Sequence, residues 1–256
     1  MPNLEQFRRL TDVEWRKSFE AEHGIFIAEG FLTIERALHA GLKPRLVLSS
    51  PKFEPPLRDL MPLTEFEILD DVEIANITGF HVHRGALAAF ERPRSLTLAE
   101  LPQVNRVAVL DDLVDHENVG TIIRSAAALG IDAVVLTQTC ADPLYRRSIK
   151  TSMGAVFSVP WFRGGSASEV VETLRAHGFS QWALTPSGTD LLAIETHVDQ
   201  PLALWLGNEG VGLPLAIMSA VDRRVSISMT RDVDSINVAA AAAIVFWATR
   251  TASQVE

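Results

Sequence analysis

Short apolar segments alternate with helical ones across the second half of this chain, and no other feature narrows its fold as much. From Arg106 onward six runs read as strands: RVAVL (106–110), DAVVL (132–136), AVFSV (155–159), QWALT (181–185), LALWL (202–206) and RRVSI (223–227). Helical segments separate most of them, at 119–129, 144–152, 166–177, 213–220 and 236–250. Strands this short and this uniformly apolar are buried on both faces, which a parallel sheet covered by helices provides. The predicted fold class is therefore α/β with a parallel sheet. Ligands of such sheets sit beyond the carboxyl ends of the strands, so the loops that follow the strands are where function is sought.

The first 94 residues read as a smaller α/β unit. FIAEGFLTIERALHA (26–40) places Ile27, Phe31, Ile34 and Leu38 on one face of a predicted helix, closed by Gly41, and RLVLSS follows as a buried strand. The proline-rich stretch PKFEPPLRDLMPLTEFEILD reads as loop with one short helix, and ALAAF (86–90) as another strand. The expected organisation is a small domain at 1–95, a linker at 96–105 and a second domain at 106–256.

Composition removes several classes of function. One cysteine, Cys140, excludes an internal disulfide, and with no cysteine pair and no HExxH the chain is expected to work without a metal. The N-terminal stretch MPNLEQFRRLTDVEW carries no apolar signal segment, and the longest apolar run, 238–248, is too short to cross a bilayer. A cytoplasmic protein is expected. The net charge of −9 is the opposite of a bulk basic footprint, and neither part of the chain is basic: 12 Lys/Arg face 16 Asp/Glu in residues 1–101, and 11 face 16 in the rest. Contact with a polyanion then falls to local clusters: Arg8-Arg9, Arg92 with Arg94, and Arg146-Arg147 with Lys150.

Three loops stand out. After RVAVL comes Asp111-Asp112-Leu113-Val114-Asp115-His116-Glu117-Asn118-Val119-Gly120, leading to Arg124. Asn118 reads as an N-cap, Gly120 permits close backbone approach, and Arg124 is a cation on an otherwise apolar helix that needs a partner. That partner is a phosphate, a second subunit, or one of Asp111, Asp112 and Asp115. After LALWL comes Gly207-Asn208-Glu209-Gly210-Val211-Gly212. The three glycines free the backbone to wrap a flat ligand, in an order that matches neither the dinucleotide fingerprint nor a phosphate-binding P-loop. After RRVSI comes a polar stretch ending in Ser235-Ile236-Asn237 and an alanine-rich helix, for which Ser235 is a natural cap.

Together D-x-x-N-x-G-x-x-x-R, G-N-E-G-x-G-L and S-I-N, each after a strand and in that order, resemble the SpoU-type (TrmH-like) RNA ribose methyltransferases of the SPOUT superfamily. Residues 106–250 are similar along their length, including Lys150-Thr151-Ser152-Met153-Gly154-Ala155, and residues 25–95 look like the small substrate-binding domain that many members carry. The sequence departs at Ile236, where leucine is usual, at Ser228, where proline is, and at His83-Arg84-Gly85, where Gln-Gly is commoner. The resemblance implies a trefoil-knotted parallel-sheet domain, an S-adenosylmethionine methyl donor, a homodimer, and transfer to a ribose 2′-hydroxyl in ribosomal RNA, with transfer RNA the alternative. It implies catalytic roles for Asn118, Arg124, Glu209, Ser235 and Asn237. The cofactor would lie against Thr185, Leu206, Gly207, Asn208, Gly210, Ile227, Met229 and Ile236.

Two other classes compete. A non-catalytic RNA-binding or assembly factor could keep the fold, but the joint presence of the five polar residues argues against it. A nicotinamide-dependent oxidoreductase is disfavoured because no G-x-G-x-x-G follows the first strand.

Overall fold

The structure, a computed structural model, describes residues 4–82, 85–196, 200–231 and 233–250, apart from the side chain of Lys17. His83 and Arg84 therefore lie outside the described residues. In chain order the elements are α1 (Val13–His23), β1 (Ile25–Glu29), α2 (Phe31–His39), β2 (Pro44–Ser49), α3 (Glu54–Leu60), β3 (Glu65–Ile68), α4 (Asp71–Thr78), β4 (Ala86–Glu91), β5 (Leu96–Thr97) and β6 (Arg106–Leu110). Then follow α5 (His116–Ala128), β7 (Ala133–Leu136), α6 (Arg146–Thr151), β8 (Trp161–Arg163), α7 (Ala167–Ala176), β9 (Ser180–Asp190), β10 (Leu202–Leu206), α8 (Leu215–Ala220), β11 (Arg223–Ser226) and α9 (Val238–Ala248).

Two compact units result. One comprises residues 1–94 with 144–157, the other 95–143 with 158–256. The segment 144–157 thus belongs with the N-terminal residues rather than with the sequence around it. Glu29, at the end of β1, is the reason. Its carboxylate is buried and pairs with Arg146 at 2.6 Å and Lys150 at 3.0 Å, both on α6. Arg146 also lies over the Phe80 ring and donates to the Leu10 carbonyl. The cluster expected to meet a polyanion is therefore largely engaged within this unit, leaving Arg147 exposed.

The sheet of the first unit has the order β1-β4-β2-β3, with β4 antiparallel to both neighbours and β2 parallel to β3. Residues 26–29, predicted as the start of a helix, belong instead to the fully buried strand β1. Gly24 ends α1 at φ +58 and Gly30 separates β1 from α2 at φ +85, so two glycines bracket an apolar run of strand length. The proline-rich stretch holds more structure than expected. After α3 it forms β3, and Asp70 then starts α4 through a reciprocal capping box with Glu73.

The second unit carries a seven-stranded sheet in the order β11-β9-β10-β6-β7-β8-β5, and every pairing is parallel. Residues 96–105 do not merely link: β5 pairs with β8, and Leu98 and Leu101 enter the core with Val107, Val135, Trp205, Leu174 and Ile217. The predicted strand at 155–159 is a single 3-10 turn, Ala155–Phe157, and the strand comes later at β8. Phe157 packs against Phe26 in the first unit, so tertiary packing overrides the local apolar pattern.

Two details position the site. Along β9 the register with β11 jumps from Ala183↔Arg224 to Thr189↔Val225, so residues 184–188 bulge out of the ladder. At the opposite ends of the strands, buried Arg106 holds the C-termini of two helices. It donates to Leu129 and Gly130 after α5, and to the Phe246 carbonyl and Thr249 hydroxyl of α9 at 2.6 and 2.8 Å. Burial pulls its pKa down to about 10. The packed pair α5 and α9 is thus anchored far from the strand ends where the loops gather. Among the described residues no helix is long and apolar enough to cross a membrane.

Candidate active site

The glycine loop after β10 is folded by one amide. Asn208 Oδ1 accepts from Gly210 N and Val211 N at 2.8 and 3.2 Å, while Gly212 N closes the loop on the Asn208 carbonyl at 2.9 Å. Asn208 Nδ2 donates to the Asp112 carbonyl and to Asp112 Oδ2 at 2.9 and 3.2 Å, bracing the loop against the one that follows β6. Asp112 takes left-handed backbone, φ +54, to make this contact. The Asn208 side chain is therefore occupied in shaping the loop. Gly207 has to be glycine, because a Cβ there would sit 2.6 Å from Leu213 N and 2.7 Å from the Gly212 carbonyl carbon.

A second set of amides joins three loops. Asn118 Nδ2 donates to Glu209 Oε1 at 2.7 Å, and Asn237 Nδ2 donates to Asn118 Oδ1 at 2.9 Å. Asn237 Oδ1 in turn accepts from Ala239 N and Ala240 N, 2.9 and 3.4 Å away, and so caps α9. Two expectations about caps change here. Asp115, not Asn118, caps α5, which leaves the Asn118 amide in the first turn and free to point at Glu209. Asn237, not Ser235, caps α9, and Ser235 stays exposed in the loop before it.

These loops surround a cleft of about 940 Å³. Its walls are the 184–188 bulge, the glycine loop, residues 226–229 and residues 234–238. Leu184, Leu206, Ile227, Met229, Ile236 and Val238 give it apolar surface. Asp190, Glu209 and Asp234 give it carboxylates, and among the described residues no lysine or arginine lines it. Asp190 is tied down: Oδ1 accepts from Leu192 N at 2.7 Å, and Oδ2 from both Ser228 N and Ser228 Oγ, the former at 3.1 Å. A proline at 228 has no N–H to give, so the departure at this position is matched by a partner on β9.

All eight residues expected against a cofactor line this cleft: Thr185, Leu206, Gly207, Asn208, Gly210, Ile227, Met229 and Ile236. Glu209, Ser235 and Asn237 line it too, and Asn118 joins them through its hydrogen bonds. Arg124 does not. It is exposed on α5, and none of Asp111, Asp112 and Asp115 is its ion-pair partner. Sequence reasoning missed Asp112, Asp190 and Asp234. The doublet Asp111-Asp112 directly after a strand was a usable signal for the first, whereas Asp190 enters only because β9 bulges. Among the described residues no group of three or more His, Cys, Asp or Glu side chains is placed to hold a metal ion.

The strand-end loops of a parallel α/β sheet enclose this acidic cleft, where ligands of such sheets bind, and comparison with known proteins gives the family. The model of the SpoU rRNA Methylase family matches residues 105–247, more than half of the chain. The chain belongs to this family of RNA methyltransferases. It is 37% identical over 255 residues to an uncharacterised tRNA/rRNA methyltransferase of Mycobacterium bovis, covering 96% of this chain and 88% of that one. It is 26% identical to RlmP of Bacillus subtilis, a 23S rRNA (guanosine-2′-O)-methyltransferase, with 96% and 98% covered. Among solved structures it resembles the AdoMet-bound rRNA methyltransferase of Sinorhizobium meliloti, with a TM-score of 0.83, 27% identity, and 97% and 94% covered. The SpoU methyltransferase AviRb of Streptomyces viridochromogenes, in complex with AdoMet, matches with a TM-score of 0.82, 26% identity and 97% of each chain covered.

Proposed function

We propose that this chain transfers a methyl group from S-adenosylmethionine to a ribose 2′-hydroxyl of ribosomal RNA, working as a homodimer. The observation that carries the reading is the cleft: apolar walls, carboxylates without a lining cation, and a hydrogen-bonded chain Glu209–Asn118–Asn237 at one side. A flat purine fits the apolar surface and the tight backbone at Gly207, and a sulfonium is favoured by Asp190, Glu209 and Asp234. When bound, the cofactor supplies an electrophilic methyl group. AdoMet in two similar structures and the 2′-O chemistry named for RlmP support the same assignment here.

The chain's own residues then position the acceptor. In-line displacement depends on alignment, and the amide chain fixes the Glu209 carboxylate and the Asn118 amide relative to the start of α9. Ser235 lines the cleft two residues before Asn237. Arg124 lies outside the lining, so it acts in the cleft of a second copy. A guanidinium stays protonated at working pH, which favours holding a phosphate and stabilising charge on the acceptor oxygen over acting as the base. The α9 face carrying Ala240, Ile244 and Trp247, exposed at i, i+4 and i+7, suits the subunit contact.

The test is transfer of labelled methyl groups to separated ribosomal and transfer RNAs lacking ribose methylation. Label in ribosomal RNA, mapped to a 2′-O-methyl nucleotide and reduced roughly 10²–10³-fold or more in Arg124→Ala while S-adenosylhomocysteine still binds, is the expected result. Near-normal turnover in that variant removes Arg124 from the mechanism. Label in transfer RNA alone changes the substrate, and no label with the cofactor product still bound makes the protein a binding factor.

A further inference from the structure

The cleft is lined by carboxylates, yet an RNA strand brought to it is a polyanion. Like charges repel across such a mouth unless a cation at the rim offsets them. The loop after β11 supplies one. The Val233 N–H donates to the Thr230 carbonyl at 3.4 Å, and Arg231, next to Thr230, takes φ +60. Left-handed backbone is unfavourable for a side chain of this size, and such strain persists where something else depends on it.

Among the described residues Arg9, Asp112 and Met153 also take this conformation without being glycine. Each is held by a contact. Arg9 pairs with Asp12, Asp112 accepts from Asn208, and the Met153 carbonyl accepts from Arg36. Arg231 is exposed and has no hydrogen bond or ion pair with any described residue. It stands two residues from Met229 and three from Asp234, both in the cleft lining. Two residues span at most about 7 Å of chain, within the sweep of an arginine side chain.

We propose that Arg231 is a positioning contact for the RNA substrate, its guanidinium taking a phosphate of the strand beside the acceptor nucleotide. This rests on the cleft being the methyl-transfer site proposed above. It differs from the role of Arg124, which enters from a second copy, because Arg231 belongs to the same chain as the cleft it serves. Glycine suits this backbone but supplies no cation, which accounts for arginine at a strained position on the rim.

The experiment compares the full-length protein with Arg231→Gly and Arg231→Lys. It measures S-adenosylhomocysteine affinity, and the affinity for unmodified 23S ribosomal RNA with S-adenosylhomocysteine present, across a salt series. Arg231→Gly relieves the backbone, so it is expected to fold at least as well and to keep its affinity for S-adenosylhomocysteine. Its RNA affinity should fall roughly tenfold, as for a lost charge-assisted hydrogen bond. The slope of log affinity against log salt should shrink by about 0.7–0.9, one phosphate's share, and Arg231→Lys should restore most of it. Unchanged RNA affinity and slope in Arg231→Gly overturns the proposal, as does a parallel loss of S-adenosylhomocysteine affinity, which would make the residue part of the pocket wall. A wild-type protein that does not bind S-adenosylhomocysteine at all instead removes the reading of the cleft, so the two failures are separable.

Discussion

Each unit of this protein buries a carboxylate, and the two are treated in opposite ways. Glu29, in the N-terminal unit, faces two cations on α6 at 2.6 and 3.0 Å. Asp111, at the end of β6, is equally buried but meets the Thr137 hydroxyl and a second carboxylate, Asp112. Burial is the main reason its pKa is raised. The Thr137 hydrogen bond opposes the rise, and the neighbouring Asp112 adds to it. One carboxylate is built in as a structural joint, since it ties a distant segment of chain to β1. The other sits at the root of the loop that carries Asp112 and Asn118, where the chain keeps charge beside its cleft at some cost in stability.

Removing the first should therefore hurt most. Glu29→Ala leaves Arg146, only 12% exposed, with its carboxylate gone, and breaking a buried pair from one side costs about 3–5 kcal/mol. Urea denaturation should show that loss. A cost below about 1 kcal/mol would put Glu29 on a par with the solvent-exposed pairs of this chain, such as Arg58–Glu54, and dissolve the contrast.

The cleft should respond through activity instead. Asn237 has two tasks that one substitution separates, because its Oδ1 caps α9 while its Nδ2 reaches Asn118. Asn237→Asp keeps an acceptor for the cap and loses the donor, also placing a carboxylate against Asn118 Oδ1. Thermal stability should stay within about 0.5 kcal/mol of wild type, since aspartate caps as well as asparagine. Methyl transfer should fall by an order of magnitude or more. Equal loss of stability and activity would mean that the asparagine is only a cap.

The same contrast explains what could be read from the sequence. The parallel-sheet strands that bury both faces, RVAVL and LALWL, announce themselves to the residue. So do the loops behind them, because glycines and amides at strand ends have few other uses. What stayed hidden depends on partners far away in sequence. Residues 144–157 leave their neighbours because of Glu29, and Asp190 enters the cleft because β9 bulges against β11. The caps at Asp115 and Asn237 were misplaced by two or three residues for a related reason. The amide of Asn118 was read as a local cap but is used across loops, whereas Asn237, passed over for Ser235, serves both locally and across them.

The smallest effect, and the one with a sign opposite to Glu29, belongs to Asp111. A carboxyl whose folded pKa lies above its unfolded value favours folding most where it is protonated, below the unfolded value of 3.8, and that benefit is lost as pH rises through the folded value. Where Asp111 is ionised, the folded state therefore carries its charge at a cost. Asp111→Asn removes the charge while keeping a group that can bond the Thr137 hydroxyl, so its denaturation midpoint should lie above that of wild type at about pH 7. The gain should shrink as the pH falls through the folded pKa and be gone below the unfolded value of 3.8, where the carboxyl is protonated in both states. A variant less stable than wild type at neutral pH would show that Asp111 is held by its surroundings as Glu29 is, and that the two units bury charge by the same rule.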